Sequence, residues 1–225
     1  MTKVPEITAI FWVLKLLTTG IFGLWFALWL QMRQREYRAP IYWLAVMMVA
    51  IFGTMAADGV HDGASIPCTV TTPVFAVVVG AILYFWYRSE GTLSIHSITT
   101  RRREGYYWAA VLATFALGTA AGDLTALSLS LGFFPSVVLF ASVIAIPAVG
   151  WWRFDLNPIL AFWFAYIVTR PLGASFADGF SKHGNTGLGL GDGTVSALAL
   201  MVFVGLVAYV APHPNPRLLL DTEFE

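Results

Sequence analysis

The chain has 225 residues, 58% hydrophobic and 12% charged, with a formal net charge of zero. A soluble domain carries about 25% charged residues, so a deficit spread along the whole length excludes one and indicates an integral membrane protein. The single cysteine, Cys68, excludes an internal disulfide and a paired-thiolate metal site.

A membrane-spanning helix needs about 20 mostly apolar residues. Seven segments qualify in chain order: 7–30, 40–58, 70–87, 106–124, 132–151, 158–178 and 193–211. Each is too long and continuous for a strand, and only helices satisfy their own backbone in lipid. The expected fold is therefore all-α, a polytopic bundle of about seven spans. It forms one domain over 1–217, followed by a short tail over 218–225. The first segment runs apolar past 20 residues without a small-residue cleavage site, so it is expected to remain in the mature protein.

The connections alternate in charge. One set holds Arg33, Arg35, Arg38, Arg88, Arg101, Arg102, Arg103, Arg153 and Arg217, whereas the other holds only Lys3 and Lys182. The positive-inside rule places the first set in the cytoplasm, with the N-terminus outside and the C-terminus inside. The Arg101–Arg103 run reads as a topology signal against anionic headgroups, with no nucleic-acid partner implied.

A repeat underlies three of the spans. Trp43 is followed by Gly53 ten residues later and by Asp58 fifteen later. Trp108, Gly118 and Asp123 keep the same spacing, as do Trp163, Gly173 and Asp178. An aromatic residue precedes each Trp: Tyr42, Tyr107 and Phe162. The spacing predicts that the indoles sit at headgroup level. The glycines begin small-xxx-small steps that let helix backbones approach. Thr54 and Asp58, and likewise Thr119 and Asp123, share an adjacent polar face. Each unit is a pair of spans, so the repeats run parallel about an axis along the membrane normal. Their extents are 40–87, 106–151 and 158–211. Residues 7–30 look like a truncated first copy, the start of one span joined to the end of the next.

The phrases KVPEITAIFW, YRSEGTLSIHSITTRRREGYYWA, LGTAAGD and FAYIVTRPLGASFADGFS resemble a family of uncharacterised bacterial membrane proteins. That family is built from a tandem repeat of unknown function, with two spans and a characteristic Trp per repeat. The resemblance covers roughly residues 3–210. It implies four repeats and eight spans, from which this chain departs by lacking the acid-bearing end of the first. Either the N-terminus has flipped outside or residues 7–30 re-enter; the flip is preferred, because the segment has few helix breakers. The resemblance implies no activity.

Asp58 lies 20 residues beyond Arg38, and Asp123 lies 20 beyond Arg103. At about 1.5 Å per residue each acid is some 30 Å from the basic loop, at the outer edge of the hydrocarbon. The helix dipole disfavours a carboxylate at a C-terminus, so these acids call for a partner, water or a cation. Lys15 and Arg170 are the expected partners, and an interhelical ion-pair cluster is the structural alternative. Outer-loop residues His61, Asp62, His183 and Asp192 could join Asp58 in holding a divalent metal ion.

Three functions follow as expectations. The first is a small transporter or exporter, its cargo a divalent cation coupled to protons through Asp58, Asp123 and Asp178. Thr54, Thr119 and Ser175 would supply neutral oxygens, with Lys15 and Arg170 tuning the acids. The second is a non-catalytic subunit that oligomerises or joins a membrane complex. The third, an intramembrane hydrolase, ranks last because the histidines are too scattered to assemble three ligands; the chain is not expected to be an enzyme.

Overall fold

In hydrocarbon each backbone N–H and C=O has to find its partner inside its own helix, and helix boundaries follow from local signals. A computed structural model describes residues 20–34, 36–184 and 187–211. Seven α-helices run through them: α1 (Phe22–Arg33), α2 (Ala39–Asp58), α3 (Cys68–Glu90), α4 (Arg101–Asp123), α5 (Phe133–Phe154), α6 (Pro158–Ser181) and α7 (Asp192–Val210). All except α1 are long and apolar enough to cross a membrane. The earlier part of the expected first span lies outside the described residues.

The ends obey recognisable signals. Thr100 Oγ1 accepts from the Arg103 N–H and starts α4 within the arginine run, five residues before the expected boundary at 106. Asn157 Oδ1 accepts from the N–H groups of Ile159 and Leu160 ahead of Pro158, an N-cap followed by proline in the first turn. Gly91 ends α3 at φ +72°, where a left-handed residue closes the helix. After Asp58 and after Asp123 the helix widens into a π-helical turn, over Gly59–Gly63 and Leu124–Ser128. A two-stranded hairpin pairs β1 (His183–Gly184) with β2 (Gly187–Leu188).

The helices pack chiefly between repeats. First helices α2, α4 and α6 meet in that order, α2 on α4 and α4 on α6. Each second helix leans on the first helix of the next repeat: α3 on α4, and α5 on α6. Helix α1 packs on α2 in the same manner. Among the described elements, helix α7 packs on α6 and α2. The consequence is a steep gradient of burial. In α4, 56% of the most apolar stretch is buried inside the protein, against 0% in α7.

Glycine marks the close approaches. A Cβ on Gly53 would lie 2.6 Å from the Phe115 Cβ and 3.1 Å from the Leu112 carbonyl oxygen. A Cβ on Gly118 would collide with the Arg170 Cβ and come within 3.0 Å of the Arg170 carbonyl carbon. Phe115 and Arg170 stand seven residues after their respective Trp, so one contact is made twice. The third copy breaks the series: Gly173 is exposed, and among the described residues nothing lies within 4 Å of its Cβ position.

Two of the three repeat indoles are buried in protein and do not face lipid. Trp108 is 4% exposed and Trp163 3%, both inside a core that also holds Trp86, Ala45, Val49 and Val111. Trp163 meets Trp86 edge to face, and its Nε1 donates to the Leu93 carbonyl at 2.9 Å. Neighbouring side chains of that core cover both rings, which removes the lipid boundary that an interfacial indole needs. Trp43, half-buried, packs edge to face against Phe203 of α7.

Candidate functional site

The three first helices carry a polar series along their shared faces. At the arginine-rich end, Tyr42 and Tyr107 occupy the same repeat position and their hydroxyls hydrogen-bond at 2.7 Å. Deeper in, Thr119 Oγ1 donates to Thr54 Oγ1 at 3.3 Å, so two of the expected site residues come together across the α2–α4 contact. At the far end α2 finishes on Asp58 and α4 on Asp123. Asp178 lies in the last turn of α6. Ser175 is fully buried between α6 and α4, where its Oγ comes 3.6 Å from the Cβ position of Gly122.

Arg170 does not pair with these acids. Its guanidinium carbon lies 3.9 Å from the centre of the Phe115 ring and 4.4 Å from that of Tyr166. The reason is directional: a helical side chain leans toward its helix N-terminus. In α6 that is the arginine-rich end, so Arg170 points away from Asp178. Cation–π contact, stronger where water is excluded, takes the place of the expected ion pair. Lys15 lies outside the described residues.

Lys182 is the cation that meets the acid end. Its Nζ lies 3.1 Å from Asp192 Oδ2. Burial works against its charge, but the Asp192 hydrogen bond and the fields of Asp192, Asp178 and Asp123 outweigh it and hold the ammonium above its ordinary pKa. The sequence reading set Lys182 aside as a loop residue; its position four after Asp178, on the same side of the helix end, was the available signal.

The proposed metal ligands are not gathered. Among the described residues no three side chains of His, Cys, Asp or Glu stand together as a metal site. His61 Nδ1 is 2.8 Å from the Ile66 carbonyl and 3.5 Å from Cys68 Sγ, within its own loop. His183 belongs to the hairpin, and Asp192 is engaged by Lys182. The side chain of Asp62 lies outside the described set.

A cavity of about 1130 Å³ opens at the arginine-rich end. Arg33, Glu36 and Arg101 line it, and α2, α4 and α6 contribute Tyr42, Tyr107 and Phe162, the three residues that precede the repeat tryptophans. Trp108 and Tyr166 complete its aromatic wall. Glu104, half-buried, also lines it, and its Oε1 accepts from Gln31 Nε2 at 3.3 Å and from Trp108 Nε1 at 3.4 Å. Repeat logic could not find Glu104, because the equivalent positions hold Ala39 and Ile159.

These features define a helical membrane protein made of tandem two-helix units arranged around a shared polar face. The chain belongs to the Repeat of Unknown Function (DUF347) family, which matches residues 41–92, 106–156 and 161–211. Those three matches coincide with the helix pairs α2–α3, α4–α5 and α6–α7. The chain matches no curated protein and no solved structure.

Proposed function

We propose that this protein is a small membrane transporter. The observation that carries the reading is the large cavity at the arginine-rich end, lined from the same position of three repeats, beyond which α2, α4 and α6 close up on one another. Closure comes from the Tyr42–Tyr107 and Thr54–Thr119 contacts and from the Gly53 and Gly118 crossings. Taken with the positive-inside rule, the cavity opens to the cytoplasm of a bacterial inner membrane, and the acids Asp58, Asp123 and Asp178 face outward. A transporter that exposes its site alternately does so by rocking one repeat against another around that site. Here the close glycine contacts between α2, α4 and α6 would be the surfaces that move. The outer carboxylates are placed to carry a proton or a cation in step with that motion. A metal ion as cargo has weaker support, because no described set of ligands converges on one.

The test is flux in proteoliposomes with an imposed proton gradient. Wild type should acidify or alkalinise the lumen when cationic cargo is supplied, and Asp58→Asn with Asp123→Asn should reduce the rate at least tenfold without loss of folded protein. Equal rates in wild type and double variant would end the proposal.

A second reading, a non-catalytic subunit of a membrane complex, draws on a different observation. Gly173 and the whole outer face of α7 lack a neighbour among the described residues. Stoichiometric co-purification of another membrane protein, with no flux from the purified chain, would favour it.

A further inference from the structure

We propose that the arginine-end cavity is a binding site for an organic cation, an ammonium with an attached apolar or aromatic group. The proposal deepens the transport reading by naming the class of cargo, and it rests on that reading for its physiological sense.

Charge inside the cavity is the first argument. Glu104 is the acid among the inner wall residues, and it forms no ion pair among the described residues. Its known partners are two neutral donors, the Gln31 amide and the Trp108 indole. A carboxylate only accepts, so the Gln31 amide must present its NH₂ group to it and turn its oxygen away. That oxygen is buried with no hydrogen-bond donor. The wall therefore holds a half-buried carboxylate beside a buried amide oxygen that accepts no hydrogen bond, and an unmatched buried polar group is costly. A ligand that brings a positive charge relieves that cost.

The basic residues nearby do not supply it. The Arg33 guanidinium is folded onto Trp29, 4.1 Å from the ring centre. Arg101 is exposed and begins α4, three residues before Glu104. Arg170 is not part of the lining and is held by Phe115 and Tyr166.

The walls are the second argument. Tyr42, Tyr107, Trp108 and Phe162 present aromatic rings on two or more helices around the same space. Tyr42 contacts Tyr37 and Trp108 at ring-centre separations of 5.5 and 5.7 Å, so the rings form a continuous surface. Aromatic faces attract ammonium groups through the ring quadrupole, and Trp and Tyr do so best. An inorganic divalent ion, by contrast, needs several converging ligands, and among the described residues no three side chains of His, Cys, Asp or Glu stand together. The volume of about 1130 Å³ also far exceeds what a bare ion fills and suits an organic molecule.

The experiment is direct binding of benzyltrimethylammonium to the full chain in lipid nanodiscs by isothermal titration, with phenylacetate as the anion of similar size. Benzyltrimethylammonium should bind and phenylacetate should not. Glu104→Gln, which keeps the shape and an acceptor for Trp108, should weaken the cation at least tenfold. Asp155→Asn, at an exposed acid outside the cavity lining, should leave it within twofold, and Trp108→Phe should weaken it without altering the fold by circular dichroism. Absence of cation binding, stronger binding of phenylacetate, or an unchanged affinity in Glu104→Gln would each overturn the proposal. Binding is read without flux: a protein that binds the cation but moves nothing refutes the transport reading and leaves the site standing.

Discussion

At the scale of single residues, the same letter in the same repeat position carries different energies. Gly118 has the Arg170 backbone against it, whereas Gly173 has nothing within 4 Å of its Cβ position among the described residues. Forcing a methyl into a packed contact costs about 1–3 kcal/mol, and Gly inside a helix is about 1 kcal/mol less favourable than Ala. Gly118→Ala should thus lower the thermal unfolding midpoint of the detergent-purified protein, and Gly173→Ala should leave it unchanged or raise it. Equal destabilisation by both would show that Gly173 is covered in the membrane. Spacing alone identified all three glycines as packing sites. It could not separate them, because a glycine's cost depends on the helix opposite, which lies tens of residues away in the chain. Arg170 shows the same limit. Its presence inside a span marked it as a residue needing a partner, but two rings met it rather than a carboxylate.

Among the elements, the connection between α3 and α4 is the most strongly tied. Arg103 Nε donates to Glu90 Oε2 at 2.8 Å and its Nη1 to the Ser97 carbonyl at 2.7 Å. From another repeat, the Trp163 indole reaches the Leu93 carbonyl. A positive-inside signal thus also has a structural task, which composition alone does not reveal. Trp163→Phe keeps the ring in the core and removes one hydrogen bond, worth about 1 kcal/mol. Faster amide exchange in residues 91–100, with α7 unchanged, is the expected result by mass-spectrometric hydrogen exchange. The helix ends themselves were legible to within a few residues, since proline, glycine and polar caps act locally. The arginines of α4 were the exception: charge argued for a loop, but the Thr100 cap carried the helix out past them.

For the whole molecule, the alternation of basic and acidic connections predicts that the two ends face opposite compartments. With Cys68 replaced by Ala, a single cysteine at Thr99 should resist an impermeant thiol reagent added to intact cells, and one at Leu188 should react. Both positions are exposed at opposite ends of the bundle. Reversal of the pattern would invert the assignment and place the cavity outside. In the packing of the three repeats α4 is central and α7 peripheral, with 56% against 0% of the apolar stretch buried, and α7 is the more apolar of the two.

The sequence by itself determined the membrane environment, the helices and their repeat, because backbone hydrogen bonding in lipid is satisfied within each helix and needs no neighbour. It also marked Tyr42, Tyr107 and Phe162 as equivalent. Only the tertiary structure decided that those rings line a cavity, that Glu104 stands in its wall with no ion pair among the described residues, and that Trp108 and Trp163 are buried. Each of these depends on which repeat packs against which, and a side chain's surroundings are set by the order of helices in space, which a local pattern of residues does not contain.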